Sequence, residues 1–184
     1  MPTETLGITL LTIARKAIGK AFDIAPAPVP IPPHPDLQQV AATFVTLTQQ
    51  GHLRGCIGSL EAHRRLEVDV AENALAAAFR DPRFSPLSRE ELAGIRIEVS
   101  LLSPATPMRF DSEADALTQL QPGVDGLILS CGARRATFLP QVWESLPTPS
   151  QFMQQLKLKA GFPAEFWSAD IRLSRYGVQK WKET

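Results

Sequence analysis

The first periodic signal in the chain is helical. Leu6, Leu10, Ile13, Ala14, Ala17, Ile18 and Ala21 recur every three or four residues, the interval at which side chains share one face of a helix, with Thr3 or Thr5 as the expected N-cap. The pattern then breaks. Residues 26–35 hold six prolines, which excludes helix and central strand and leaves an extended connector, or a proline-rich ligand for a partner's aromatic groove. Residues 40–48 are rich in β-branched side chains, and Gln49, Gln50 and Gly51 separate them from a second strand opened by His52, so this region reads as a hairpin. Leu66, Val70, Ala74, Ala77 and Ala78 mark a second helix, which Pro82 ends by disfavouring helical geometry at Asp81.

Ile95, Ile97, Val99 and Leu101 alternate with Arg96, Glu98 and Ser100, giving a strand with one apolar and one polar face. Residues 111–120 read as a modest helix, 126–130 and 133–139 as strands joined at Gly132, and 142–146 and 150–159 as helices, the last with Ser150 as N-cap. Residues 171–181 form an expected final strand. Hairpin-linked strands with interspersed helices predict an α+β fold with a largely antiparallel sheet and packed helices. The 184 residues fit a single domain, with room for a small second lobe that forms a cleft.

The chemistry concentrates in residues 53–59, Leu-Arg-Gly-Cys-Ile-Gly-Ser. In a flat strand, side chains alternate, so Leu53 and Ile57 take one face while Arg54 and Cys56 share the other. A cation then stands beside a thiol. Gly55 and Gly58 weaken a strand, so a backbone or ligand approaches closely there, the strand is bulged, or the chain simply bends tightly. Cys56 reads as a buried small apolar residue or as a reactive thiol whose thiolate Arg54 stabilises. His52 lies roughly 13 Å from Cys56 along a flat strand, too far for a direct dyad.

Around this motif, Asn73 falls near the buried face of its helix, where a buried amide either ties down a loop or lines a site. Asp81, Pro82, Arg83 and Phe84 read as a loop presenting a carboxylate, a guanidinium and a ring to the Cys56 cleft, or as a helix stop with a local ion pair. A bidentate guanidinium suits a carboxylate or phosphate ligand, although Glu98, on the polar face of its strand, is placed to neutralise one of the arginines.

The segment LRGCIG, with residues 44–47 before it, Glu72-Asn73-Ala74 and Asp81-Pro82-Arg83-Phe84 after it, and further matches at 98–102, 137–142 and 159–162, closely resembles the AMMECR-type domain, known in prokaryotes as AmmeMemoRadiSam system protein A. The resemblance covers nearly the whole chain. It implies a setting shared with a Memo-like protein and a radical S-adenosylmethionine enzyme. It names no reaction and no cofactor, and this chain has no cysteine triplet for an iron-sulfur cluster. The family's shared regions include Arg54 and Arg83, so the expected site comprises Cys56 and Arg54 as the reactive pair, with Gly55, Gly58, Asn73, Asp81, Arg83 and Glu98 around a small anionic molecule or a peptide end. A non-catalytic adaptor gripping a partner protein is the rival reading.

Composition narrows the alternatives. Lys plus Arg and Asp plus Glu each number 19, and the pI is near 6.8, a poor match to a non-specific nucleic-acid binder. Arg134, Arg135 and the basic end from Arg172 to Lys182 carry the weaker, nucleic-acid reading. His34, His52 and His63 lack metal-site spacing, so no metal is expected. The two cysteines suggest neither zinc ribbon nor disulfide framework, and a reducing cytoplasm fits them. Arg15 and Lys16 follow the first apolar run rather than precede it, unlike a secretory signal, and no apolar stretch reaches the roughly 20 residues of a membrane span.

Overall fold

The computed structural model describes residues 2–24 and 31–184 and divides the chain into two compact units, Met1–Leu102 with Gln179–Thr184, and Ser103–Val178. The fold is α+β, as the pattern predicts.

In the first unit, helix α1 (Pro2–Lys20) starts early enough that Thr3 and Thr5 fall inside it instead of capping it. Residues 26–30 of the proline-rich stretch lie outside the described residues. Its end forms a short 3-10 helix, Pro35–Gln38, capped by His34, whose side chain accepts the Asp36 N–H. Strands β1 (Val40–Gln49) and β2 (His52–Gly58) make the expected hairpin. Gln50 and Gly51 both have positive φ, 51° and 83°, the backbone that a two-residue turn needs to match the twist of its strands. After β3 (Arg64–Arg65) comes helix α2 (Leu66–Phe79), and then β4 (Ile95–Leu102).

With the terminal strand β9 (Val178–Lys182), the sheet runs β2-β1-β4-β9, while β3 pairs with the start of β1. One face is apolar: Val45, Leu47, Ile95, Ile97 and Val99 are fully buried with Leu10 and Ile18 of α1 and Val70, Ala74 and Ala77 of α2. Alternation sends Phe44, Thr46, Glu98 and Ser100 to the opposite face. Alanines at 74, 77 and 78 let α2 lie close to the sheet. Burial of the apolar stripes, at about 25 cal/mol per Å², drives this packing.

The second unit holds β5 (Thr106–Pro107), α3 (Glu113–Thr118), β6 (Gly126–Cys131), β7 (Arg134–Phe138), a 3-10 helix at Pro140–Glu144, α4 (Pro149–Lys159) and β8 (Arg172–Tyr176). Its antiparallel sheet has the order β5-β8-β6-β7. Leu127, Leu129 and Leu173 pack with Trp143, Phe152, Met153 and Leu156 in a separate core. Thr148, not Ser150, caps α4, because Pro149 occupies the first helical position, where its missing N–H costs nothing. The single final strand expected over 171–181 is two strands, β8 and β9, which belong to different sheets.

Candidate functional site

Strand β2 lies at the edge of its sheet, so half of its backbone polar groups point away from β1. Cys56 is one such residue. Its N–H donates to Asp81 Oδ2 at 2.9 Å, and its carbonyl accepts Arg83 Nη2 at 3.3 Å. The pair formed by Asp81 and Arg83 therefore occupies the place of a neighbouring strand. Two contacts fix that pair: Nε to Oδ1 at 3.0 Å and Nη2 to Oδ2 at 2.7 Å; the Arg83 N–H also donates to Oδ1 at 3.1 Å. The Arg83 guanidinium, helped by backbone donors from Cys56 and Arg83 and opposed by burial, holds the Asp81 carboxyl far below its ordinary range. Asp81 in turn raises the Arg83 value. The Asp81 side chain is 2% exposed and that of Arg83 54%, so one member anchors and the other meets solvent.

The Cys56 thiol lies 3.3 Å from the Thr46 hydroxyl, and the register continues from Thr46 to Glu98. Cys56, Thr46 and Glu98 thus form one row across three strands on the polar face. Arg54 goes elsewhere. Between Thr48 paired with Leu53 and Leu47 paired with Gly55, the ladder shifts by one residue, so Arg54 is the extra residue of a β-bulge. The flat-strand expectation that Arg54 stands beside Cys56 therefore does not describe this segment. The Arg54 guanidinium binds Glu91 through two contacts, at 2.8 and 2.9 Å, and donates to the Ser85 carbonyl at 3.0 Å. Glu91 also accepts the Ser88 N–H at 2.8 Å. Arg54 chiefly, with that backbone donor, lowers the Glu91 carboxyl to about 2. Phe84 lies beneath both guanidinium groups, 5.4 Å from Arg83 and 6.0 Å from Arg54, a distance at which a ring face attracts a cation.

The two glycines of the motif answer different neighbours. A Cβ on Gly55 would stand 2.1 Å from the Ala77 carbonyl oxygen, so α2 packs directly on the strand backbone there. A Cβ on Gly58 would meet the Phe44 ring at 2.2 Å. Asn73, 3% exposed, donates to the Thr43 carbonyl, to Ser59 Oγ and to Asp69 Oδ2. It belongs to a buried network centred on Asp69, which also accepts the Thr43 N–H and hydroxyl, the Ser59 hydroxyl and Arg64. Asn73 thereby ties the start of β1 to the end of β2.

Sequence reasoning missed Glu91, Thr46 and Asp69. Residues 88–91 carry the Ser-x-x-Glu spacing in which a glutamate reaches back to a backbone N–H, a local signal for Glu91. Thr46 had none, because its place opposite Cys56 depends on the bulge. Among the described residues no group of three or more His, Cys, Asp or Glu side chains is arranged to hold a metal ion. No helix among them is long and apolar enough to cross a membrane.

The AMMECR1 family profile matches residues 11–181. The chain belongs to the AMMECR1 family. A protein of Methanothermobacter thermautotrophicus is 38% identical over 96% of this chain and 94% of its own length. A Thermotoga maritima relative is 40% identical over 77% of this chain and 78% of its own length. The crystal structure of an uncharacterized protein from Pyrococcus horikoshii has the same fold, with a TM-score of 0.79 and 28% identity, covering 95% of this chain and 89% of that one. These AMMECR1 comparisons establish family and fold.

Proposed function

We propose that this AMMECR1 protein binds a small anionic molecule or a peptide end beside the Cys56 rung of β2, with Arg83 as the recognising cation. One observation carries this reading: Arg83 is anchored through Nε and Nη2 to Asp81 and Cys56, yet its side chain is 54% exposed. A guanidinium held on one side and open on the other is preorganised for a carboxylate or phosphate. The Cys56 thiol, with Thr46 and Glu98 in its row, adjoins the same rung. In the enzymatic version of this function, Cys56 is the nucleophile or redox group of the site. Gly55, Asn73 and Arg54 shape the site by holding β2, α2 and the following loop.

The family setting adds a Memo-like protein and a radical S-adenosylmethionine enzyme as proposed partners, and two free cysteines suit a proposed cytoplasmic location. The adaptor reading replaces the small ligand with a partner protein at the same rung.

Mass spectrometry of small molecules retained through native purification tests the proposal. The wild-type protein is expected to carry an acidic compound or peptide. The paired variant Asp81→Asn with Arg83→Gln, which keeps the pair's shape without its charges, is expected to lose it while remaining folded. Equal retention by both proteins would overturn the assignment of Arg83, and an empty wild-type protein that captures a protein partner through this rung would favour the adaptor.

A further inference from the structure

The edge of β2 has a second outward rung, two residues beyond Cys56. The Ser59 N–H donates to the Thr43 carbonyl at 2.9 Å, which fixes the inward phase of the ladder and leaves Gly58, like Cys56, with its N–H and C=O pointing away from β1. Asp81 and Arg83 cover only the Cys56 rung. Among the described residues no side chain bonds the Gly58 rung. Along the strand the two rungs are about 6.6 Å apart, so the Cys56 carbonyl bound by Arg83 lies next to the Gly58 N–H. No hydrogen bond involves Arg83 Nη1 among the described residues.

This arrangement repeats a pattern already filled once. At Cys56, a carboxylate accepts a backbone N–H while paired with Arg83; one rung along, a backbone N–H and the open side of the same guanidinium await a second carboxylate. We propose that β2 takes the C-terminus of an extended peptide, whose carboxylate bridges the Gly58 N–H and Arg83 while its last backbone N–H donates to the Gly58 carbonyl, the one rung that β2 leaves open past Cys56. Main-chain pairing of this kind supplies affinity largely independent of side chains, and the terminal carboxylate supplies polarity and register. The inference rests on the reading of Arg83 as the recognising cation and names the ligand class for it. The bound carboxylate terminus lies beside the rung that carries the Cys56 thiol.

The test uses the full chain, labelled for amide spectra, with acetyl-Ala-Ala-Ala as the free acid, the same peptide as its C-terminal amide, and acetate, all at millimolar concentration. The free acid is expected to slow hydrogen exchange at the Gly58 amide by at least about tenfold near saturation, because an open edge donor becomes bonded, while the Cys56 amide, already bonded, changes little. The amidated peptide and acetate are expected to bind at least about tenfold more weakly, since each lacks one half of the recognition. The neutral pair, Asp81→Asn with Arg83→Gln, should abolish the preference for acid over amide. Equal effects of acid and amide, or acetate as effective as the peptide, would overturn the proposal. So would failure of the free acid to bind. Peptide binding that depends on Arg83 but leaves Gly58 exchange unchanged would refute strand addition while sparing the Arg83 reading. Retention of an acidic compound in native purification, with no response to any of the three probes, would do the same.

Discussion

Gly55 of β2 and Ala77 of α2 meet backbone to backbone: a Cβ on Gly55 would stand 2.1 Å from the Ala77 carbonyl oxygen, well inside contact distance. That contact sets how closely α2 can approach the sheet, and it lies one residue before Cys56. The Leu-Arg-Gly-Cys run therefore joins a packing constraint to a candidate site.

Replacing Gly55 with alanine should push α2 from the sheet and destabilise the protein by about 1–3 kcal/mol, the range typical of overpacking. Denaturant unfolding measures this. A loss below about 0.5 kcal/mol would mean that the helix can shift freely.

The ion pair between Arg54 and Glu91 makes stability depend on acid. The Glu91 carboxyl falls from 4.5 to about 2 on pairing, so the folded protein holds its proton less tightly than the unfolded chain. Its contribution is complete above pH 4.5 and is lost as pH falls towards 2. Glu91→Gln should lower stability at neutral pH by about 1 kcal/mol after allowance for solvent screening, and should flatten the acid limb of the stability curve. An unchanged acid limb would place the sensitivity elsewhere, with Asp81, also depressed, as the next carboxyl to test.

Thiol reactivity separates two roles for Arg54. Because its guanidinium is directed to Glu91 and Ser85, Arg54→Ala in a Cys131→Ser background should leave the Cys56 alkylation rate within about threefold while lowering stability, as expected for a residue that acts through packing and ion pairing. A rate falling by tenfold or more, about 1.4 kcal/mol of barrier, in a folded protein would show that Arg54 serves the thiolate. Thr46→Val, which removes the hydroxyl 3.3 Å from the sulfur, is the companion variant, and its effect on the rate should exceed that of Arg54→Ala.

In the second unit, Lys157 is 1% exposed and reaches Glu113 at 2.7 Å, with the Trp167 ring 5.9 Å away. Glu113→Ala should cost about 3 kcal/mol, since it leaves a buried ammonium without its carboxylate, whereas Lys157→Met fills the same space without a charge and should cost much less. Thermal unfolding of the two variants checks the order, and a milder effect for Glu113→Ala than for Lys157→Met would reverse the argument.

Much of this molecule was legible in its sequence because its signals are local. The three-to-four spacing from Leu6 to Ala21, the turn residues Gln50 and Gly51, the strict alternation from Ile95 to Leu101 and the stop at Pro82 each specify backbone geometry within a few residues, and each element formed where expected to within its ends. The motif around Cys56 and the family match were equally visible, as were two glycines needing close approach or a bulge; both features occur.

Tertiary structure decided the partners. A regular two-residue hairpin would set Arg54 opposite Leu47 and Cys56 opposite Val45, on the apolar face. The bulge at Arg54 shifts the register by one, pairs Cys56 with Thr46 and moves the thiol to the polar face. Nothing local dictates that shift, which accompanies a guanidinium reaching Glu91, 37 positions away, and a glycine backed by α2. Likewise, residues 171–181 read as one strand by period, yet divide at Gly177 between two sheets, because strand pairing is chosen by distant neighbours and not by alternation. Periodicity reports which way a side chain points; which charge it meets depends on the packing of segments that the sequence keeps far apart.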